Sequence, residues 1–169
     1  MEDNTPIKWA YPFKSSSVSA DGASSDTNNP ELYFQALAQA KDGFYPMGAS
    51  GLWHGGVHFD EGTADTLEQS SVRCIADGEV IAYRIDKLYP KTLYSRSAGS
   101  GSRGVEKDFS TGFVLIKHKL QPPPPPAPTP TSGTPAAAPA TTPTLTFYSL
   151  YMHLLDWKGY QASSAPQPP

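Results

Sequence analysis

The sequence predicts a mainly β fold with one N-terminal helix, its strands short and antiparallel. Two patterns carry that prediction. One stretch near the start holds a full set of helix start and stop signals, and the apolar residues after it fall in short runs rich in Val, Ile, Tyr and Phe, bounded by Gly, Asp, Ser and Pro. The helix is predicted over 30–41. Asn29 suits the N-cap, Pro30 the first helical position and Glu31 an acidic first turn, while Leu32, Phe34 and Leu37 continue the helix, Lys41 suits its last turn and Gly43 the position just past it. Strands are predicted over 51–59, 72–75, 79–85, 113–119 and 145–153, with Asp77-Gly78 as a two-residue hairpin turn between the second and third. The stretch 15–28, rich in Ser, Asp, Gly and Asn, has little to bury and reads as loop. Residues 86–111, Ser/Gly-rich around 97–104, are assigned no element.

Composition bounds the organisation. The chain has 169 residues, 18 of them Pro and 14 Gly, one Cys and a net charge of −3, which predicts one modest domain. Ten prolines lie between Pro122 and Pro143, so only about 120 residues are expected to share a core. The segment 121–144, QPPPPPAPTPTSGTPAAAPATTPT, lacks apolar periodicity and reads as a polyproline II or disordered spacer that stands where a hairpin turn would be. Residues 161–169 read as a second, linker-like tail, from which a continuing chain is expected, and 1–29 as an irregular N-terminal segment. With 13 Lys+Arg against 16 Asp+Glu and no run of like charges, there is no basic footprint for nucleic acid or an anionic membrane. A lone Cys74 excludes an intrachain disulfide framework and a Cys-based zinc cluster. The first 17 residues lack the apolar core of a Sec signal, and no run is long and apolar enough for a membrane span.

The chemistry concentrates in four histidines. His54 and His58 lie in Trp53-His54-Gly55-Gly56-Val57-His58-Phe59-Asp60, metal-ligand types at an i, i+4 spacing. A helix would put both imidazoles on one face, but each glycine costs a helix about 1 kcal/mol and Val57 and Phe59 prefer strand. In a straight strand the two would be ~13 Å apart along the chain, too long for nitrogens that must each sit ~2 Å from one zinc. If both bind one metal, Gly55-Gly56 must bend the chain. Without a metal, two histidines in such a turn are ordinary surface or hydrogen-bonded residues.

Four blocks, Leu52–Asp60, Val72–Tyr83, Gly112–His118 and Phe147–Leu154, resemble in their order the first half of the lysostaphin-type (LytM) zinc peptidoglycan hydrolases. The resemblance spans about 47–156 and implies a LytM-like antiparallel sheet, incomplete at the C-terminus, formed by 30–120 with 145–160. It implies that His54 is a zinc ligand. His58 stands where the family has Asp, giving the metal an imidazole in place of a carboxylate. Asp60, two residues on, is expected as an acceptor for an imidazole N–H beside the metal. His153, in Tyr151-Met152-His153-Leu154, resembles the family's catalytic histidine, which positions the attacking hydroxide or stabilises the oxyanion. His118, at a strand end, is expected to be structural or to support the site from behind the ligands. Trp53, Phe59, Tyr148 and Tyr151 read as core or sheet residues with no site role.

The family's closing His-x-His, which supplies the third zinc ligand, has no counterpart, since no histidine follows His153. The resemblance therefore implies zinc-dependent hydrolysis of amide bonds in bacterial peptidoglycan, by an endopeptidase or an amidase, in a chain inactive until a downstream ligand completes it. The alternative is a degenerate module that binds cell wall or a partner hydrolase without catalysis. Without a Sec signal, a wall-degrading domain implies export by another route to the periplasm or wall of a target bacterium, as an antibacterial toxin with an immunity protein or secretion apparatus as partners.

Overall fold

The computed structural model describes residues 7–17, 29–48, 50–95, 104–122 and 143–163. Where the composition predicts one domain, the chain forms two compact units: Ala10–Ile75, and Met1–Trp9 with Ala76–Pro169.

In the first unit, β1 (Lys14–Ser15) leads to α1 (Pro30–Leu37), whose Asn29 side chain caps it by accepting the Glu31 N–H at 3.1 Å. The helix ends four residues earlier than the sequence predicts. Beyond it the N–H groups of Lys41 and Asp42 both donate to the Asp60 carboxylate, at 2.7 and 2.8 Å, which draws the chain off the helix axis. Gly43 is then the first residue of a strand, not a helix terminator. It opens β2 (Gly43–Phe44), which pairs antiparallel with β3 (Met47–Gly48), and β4 (Leu67–Glu68) closes the unit by pairing with β1.

The core of this unit is small. Tyr33 and Ala36, three apart on one side of α1, are buried with Phe13 and Leu67, while Tyr11, Leu32 and Phe59 pack against them. Phe13 meets Phe59 edge-on at 4.9 Å, and the buried Tyr33 hydroxyl donates to the Phe13 carbonyl at 2.9 Å, so the ring's polar end is satisfied.

The second unit is built on a three-stranded antiparallel sheet in the order β5 (Glu79–Arg84), β8 (Phe113–Leu120), β9 (Leu145–Met152). Phe113 pairs with Met152 and Leu120 with Leu145, so the strands either side of the Pro-rich segment run in full register. Residues 123–142 of that segment, 164–169 of the tail and most of 1–29 lie outside the described residues, while Gln161 and Ala162, expected in the linker-like tail, close a helix. Between β5 and β8, where no element was expected, β6 (Lys91–Ser95) and β7 (Gly104–Asp108) form an antiparallel hairpin. A second helix, α2 (Trp157–Ala162), which the sequence did not announce, starts at Asp156; its carboxylate accepts the Gly159 N–H at 2.7 Å.

Two buried carboxylates tie these pieces. Asp86 accepts from the Thr111 N–H and hydroxyl at 2.7 and 2.6 Å, its own carbonyl accepts the Trp157 N–H at 2.8 Å, and Asp156 accepts the Tyr89 N–H at 2.9 Å.

The mainly β, antiparallel expectation with an N-terminal helix therefore holds, with a second helix added. Two expected strands are absent. Residues 51–59 contribute only an isolated bridge, Met47 to Trp53, before Gly55 and Gly56 bend the chain. Residues 72–75 run extended beside 10–12, joined by Arg73 N–H to Pro12 and Ala10 N–H to Ile75, and form no strand. Asp77-Gly78 is accordingly no hairpin turn. No helix among the described residues is long and apolar enough to cross a membrane.

Candidate metal site

The histidine pair sits on the bend. Trp53 bridges to Met47, the His54 N–H donates to the Pro46 carbonyl at 2.8 Å, and the chain then turns back at Gly55-Gly56. The His54 ring closes the turn itself, its Nδ1 lying 3.0 Å from the Gly56 nitrogen and 3.1 Å from the Gly56 carbonyl oxygen. A Cβ at 56 would lie 3.2 Å from His54 Cε1, so a larger residue there displaces the ring by a few tenths of an ångström. The bend brings the His54 and His58 ring centroids to 4.5 Å with the planes tilted by 44°. A straight strand would hold them ~13 Å apart, so the spacing converts to proximity only through the two glycines.

The nitrogens differ in their commitments. His54 has Nδ1 bound to Gly56, and its Nε2 has no hydrogen bond among the described residues. Among the described residues, His58 Nε2 is buried with no hydrogen-bond partner. A buried imidazole nitrogen without a partner costs free energy comparable to a lost hydrogen bond. A cation shared with His54 would satisfy it. Neutral imidazoles are good zinc donors, so on donor chemistry and on this orphaned atom the pair fits zinc. Among the described residues, no group of three or more His, Cys, Asp or Glu is arranged to hold a metal ion.

Asp60 is not the imidazole acceptor that the alternation of a straight strand implies. One oxygen takes the N–H groups of Lys41 and Asp42 and the other that of Gly62 at 2.8 Å. Desolvation opposes its ionisation, but the bonds from Asp42, Gly62 and Lys41 outweigh it and hold the carboxyl below its ordinary range. Asp60 is the anchor of the loop after α1.

His118 is fully buried. Its Nδ1 lies 2.9 Å from the Asp77 carbonyl and its Nε2 2.8 Å from Ser149 Oγ. A carbonyl only accepts, so in the neutral ring Nδ1–H donates to Asp77 and Nε2 accepts from the serine hydroxyl. The ring stacks on Phe147 at 4.6 Å, and Phe147 in turn on Trp9 at 5.6 Å. Both nitrogens are spent inside the unit, which makes His118 the structural residue of the two options its strand-end position offered.

His153 follows β9 with φ of 59°, in the left-handed region where a non-glycine residue is strained by about 1 kcal/mol. It is exposed. Its Nδ1 lies 3.3 Å from the Ser110 carbonyl, and Nε2 has no hydrogen bond among the described residues. Strain of this kind keeps a side chain in a direction that an ordinary strand residue would not take.

The aromatics separate into two sets. Phe59 packs on the core, and Tyr151 is half-buried on the sheet, as expected. Trp53, expected in the core or sheet, is 75% exposed, and Tyr45, which the sequence did not single out, is 58% exposed with its ring 6.4 Å from the indole.

Compared with family models, curated proteins and solved structures, the chain matches none.

Proposed function

We propose that the protein acts in zinc-dependent hydrolysis of amide bonds in bacterial peptidoglycan, with His54 and His58 as two of the zinc ligands. One observation carries the reading: two imidazoles face each other at 4.5 Å across a Gly-Gly bend, and the buried Nε2 of one has no partner. It is supported by the resemblance of the four sequence blocks to lysostaphin-type hydrolases, in which the first of these histidines has that role. When bound, zinc supplies Lewis acidity that polarises a carbonyl and acidifies water. The chain's own contribution is to aim the imidazoles: with Nδ1–H donating to the Gly56 carbonyl, 3.1 Å away, the His54 ring is held in the tautomer whose Nε2 lone pair is left for the metal. The oxyanion or hydroxide contact assigned to His153 rests on the resemblance alone.

A catalytic zinc normally has three protein ligands, and the pair provides two. This favours a second reading, a module that binds the wall or a partner hydrolase without catalysis. Export to the wall of a target bacterium, with an immunity protein or secretion apparatus as partner, is part of the same proposal and rests on the resemblance alone.

Zinc content and release of soluble fragments from purified peptidoglycan test it. His54→Ala abolishes both, whereas His153→Ala keeps the metal and lowers release by about 10²–10³-fold. Zinc without release supports the binding module; neither zinc nor release overturns the metallohydrolase reading.

A further inference from the structure

Next to His54 in the chain, Trp53 presents its ring to solvent, with the ring of Tyr45 set edge-on to it. Trp53 is 75% exposed and Tyr45 58%, their centroids 6.4 Å apart and their planes at 65°, so the indole and the phenol form two walls of a corner. The corner is built by backbone pairing. β2 and β3 pair as a hairpin, Met47 bridges to Trp53, and Gly48 N–H donates to the Leu52 carbonyl at 3.0 Å. The rings are thus placed by the peptide framework and not by being packed away. Leu52, 71% exposed, and Met47, 48% exposed, flank them on that framework. Leaving this much aromatic surface in water forgoes the stabilisation its burial would bring, which is the usual mark of a contact surface.

The chemistry of the surface selects the occupant. From Gly43 to Phe59 the sequence holds no Asp, Glu, Lys or Arg, so apart from the two histidines no side chain there pairs with a charged ligand. What the corner offers is ring faces, which are negative, with a phenol hydroxyl that donates and accepts. A pyranose matches both. Its axial C–H groups form a flat apolar face carrying partial positive charge, and its equatorial hydroxyl and N-acetyl groups hydrogen-bond at the edge.

We propose that Trp53 and Tyr45 form a binding subsite for a neutral pyranose chain, the N-acetylated glycan of peptidoglycan, with the indole as the stacking face and the Tyr45 ring as the side wall. This rests on the proposed action on peptidoglycan and adds to it the part of the polymer that is gripped. Trp53 is covalently adjacent to His54, so a glycan held on the indole anchors the polymer within a residue of the proposed metal ligand. Binding energy gathered away from the bond that is cut serves to orient the part that reacts.

The test uses the full chain without zinc and a β-1,4-linked N-acetylglucosamine tetramer, which contains no stem peptide. Binding is measured by calorimetry, with amide chemical shifts reporting the location. The wild-type protein binds the tetramer with shifts at 45–47 and 52–54. Trp53→Ala weakens binding about tenfold or more, Tyr45→Ala less, and Trp53→Phe, which keeps a ring, falls between. No binding by the wild-type chain overturns the proposal, as does a Trp53→Ala variant with native amide shifts and unchanged affinity. Because neither metal nor a scissile amide is present, a protein that binds the tetramer through Trp53 but takes up no zinc leaves the subsite standing and overturns the hydrolase reading. One that takes up zinc and releases wall fragments while ignoring the tetramer does the reverse.

Discussion

At the scale of single residues, two glycines and one aspartate decide more than the residues that attract attention by their chemistry. Gly56 is where the His54 ring lies; adding a Cβ at 3.2 Å forces the ring to move by a few tenths of an ångström. Gly56→Ala is therefore expected to weaken zinc uptake with little loss of stability, as zinc titration alongside urea unfolding would show. Gly78 is more tightly held, because its Cβ would meet His118 Nδ1, Ile116 Cγ2 and the Lys117 carbonyl, each at 2.7 Å. Gly78→Ala overpacks the buried imidazole and is expected to destabilise by about 1–3 kcal/mol, measured by the urea midpoint. Asp60 gathers three backbone N–H groups on one carboxylate, so Asp60→Ala should cost about 1.5–3 kcal/mol while the histidine pair keeps its metal. A loss of zinc at unchanged stability would restore Asp60 to the site.

At the scale of elements, β8 and β9 are held by an eight-residue ladder whose last pair, Leu120 with Leu145, is the point where the chain departs into the Pro-rich segment and returns. Ends already paired in antiparallel register need only a two-residue turn. Replacing 121–144 with Asn-Gly is expected to leave the sheet intact and raise stability by about 2 kcal/mol, since closing the shorter loop costs less entropy. A lost cooperative transition in thermal unfolding would mean that the segment belongs to the core. The β6–β7 hairpin behaves differently. Its Lys91–Glu106 ion pair is more than half exposed on both sides, so Lys91→Ala is expected to shift stability by less than about 0.5 kcal/mol.

At the scale of the molecule, each unit is secured by a carboxylate whose folded form prefers ionisation. Asp60 does this in the first unit. In the second, the Thr111 hydroxyl and then its N–H bond Asp86 and hold its carboxyl below the ordinary 3.8. A lowered folded value means that the unfolded chain takes up the proton first. The stabilisation is therefore complete above the ordinary carboxylate range and is lost as pH falls through it toward the folded values. Thermal unfolding midpoints should be nearly flat from about pH 7 to 5 and drop below about pH 4. Asp60→Asn and Asp86→Asn should each lower the plateau and flatten the drop. A midpoint in either variant that falls as steeply as in the wild type would remove that carboxylate from the account.

What the sequence determined by itself is what short-range chemistry dictates. The start of α1 follows from Asn29, Pro30 and Glu31, and β5, β8 and β9 follow from β-branched and aromatic runs that need only a neighbouring strand. The histidine spacing and the need for a bend at Gly55-Gly56 were also legible, because chain geometry over four residues is local. Tertiary structure decided the rest. Where α1 ends depends on Asp60, some twenty residues away, taking the N–H groups of Lys41 and Asp42. The strand expected over 51–59 yields to a bend, and the Asp60 carboxylate is taken up by the N–H groups of Lys41, Asp42 and Gly62. The β6–β7 hairpin escaped notice because its two strands flank a Ser/Gly-rich stretch and carry largely exposed side chains, so no apolar alternation marks them. Whether an aromatic is core or surface is likewise a long-range outcome: Phe59 finds Phe13, while Trp53, bridged to Met47 by its backbone and edge-on to Tyr45, keeps most of its ring in water.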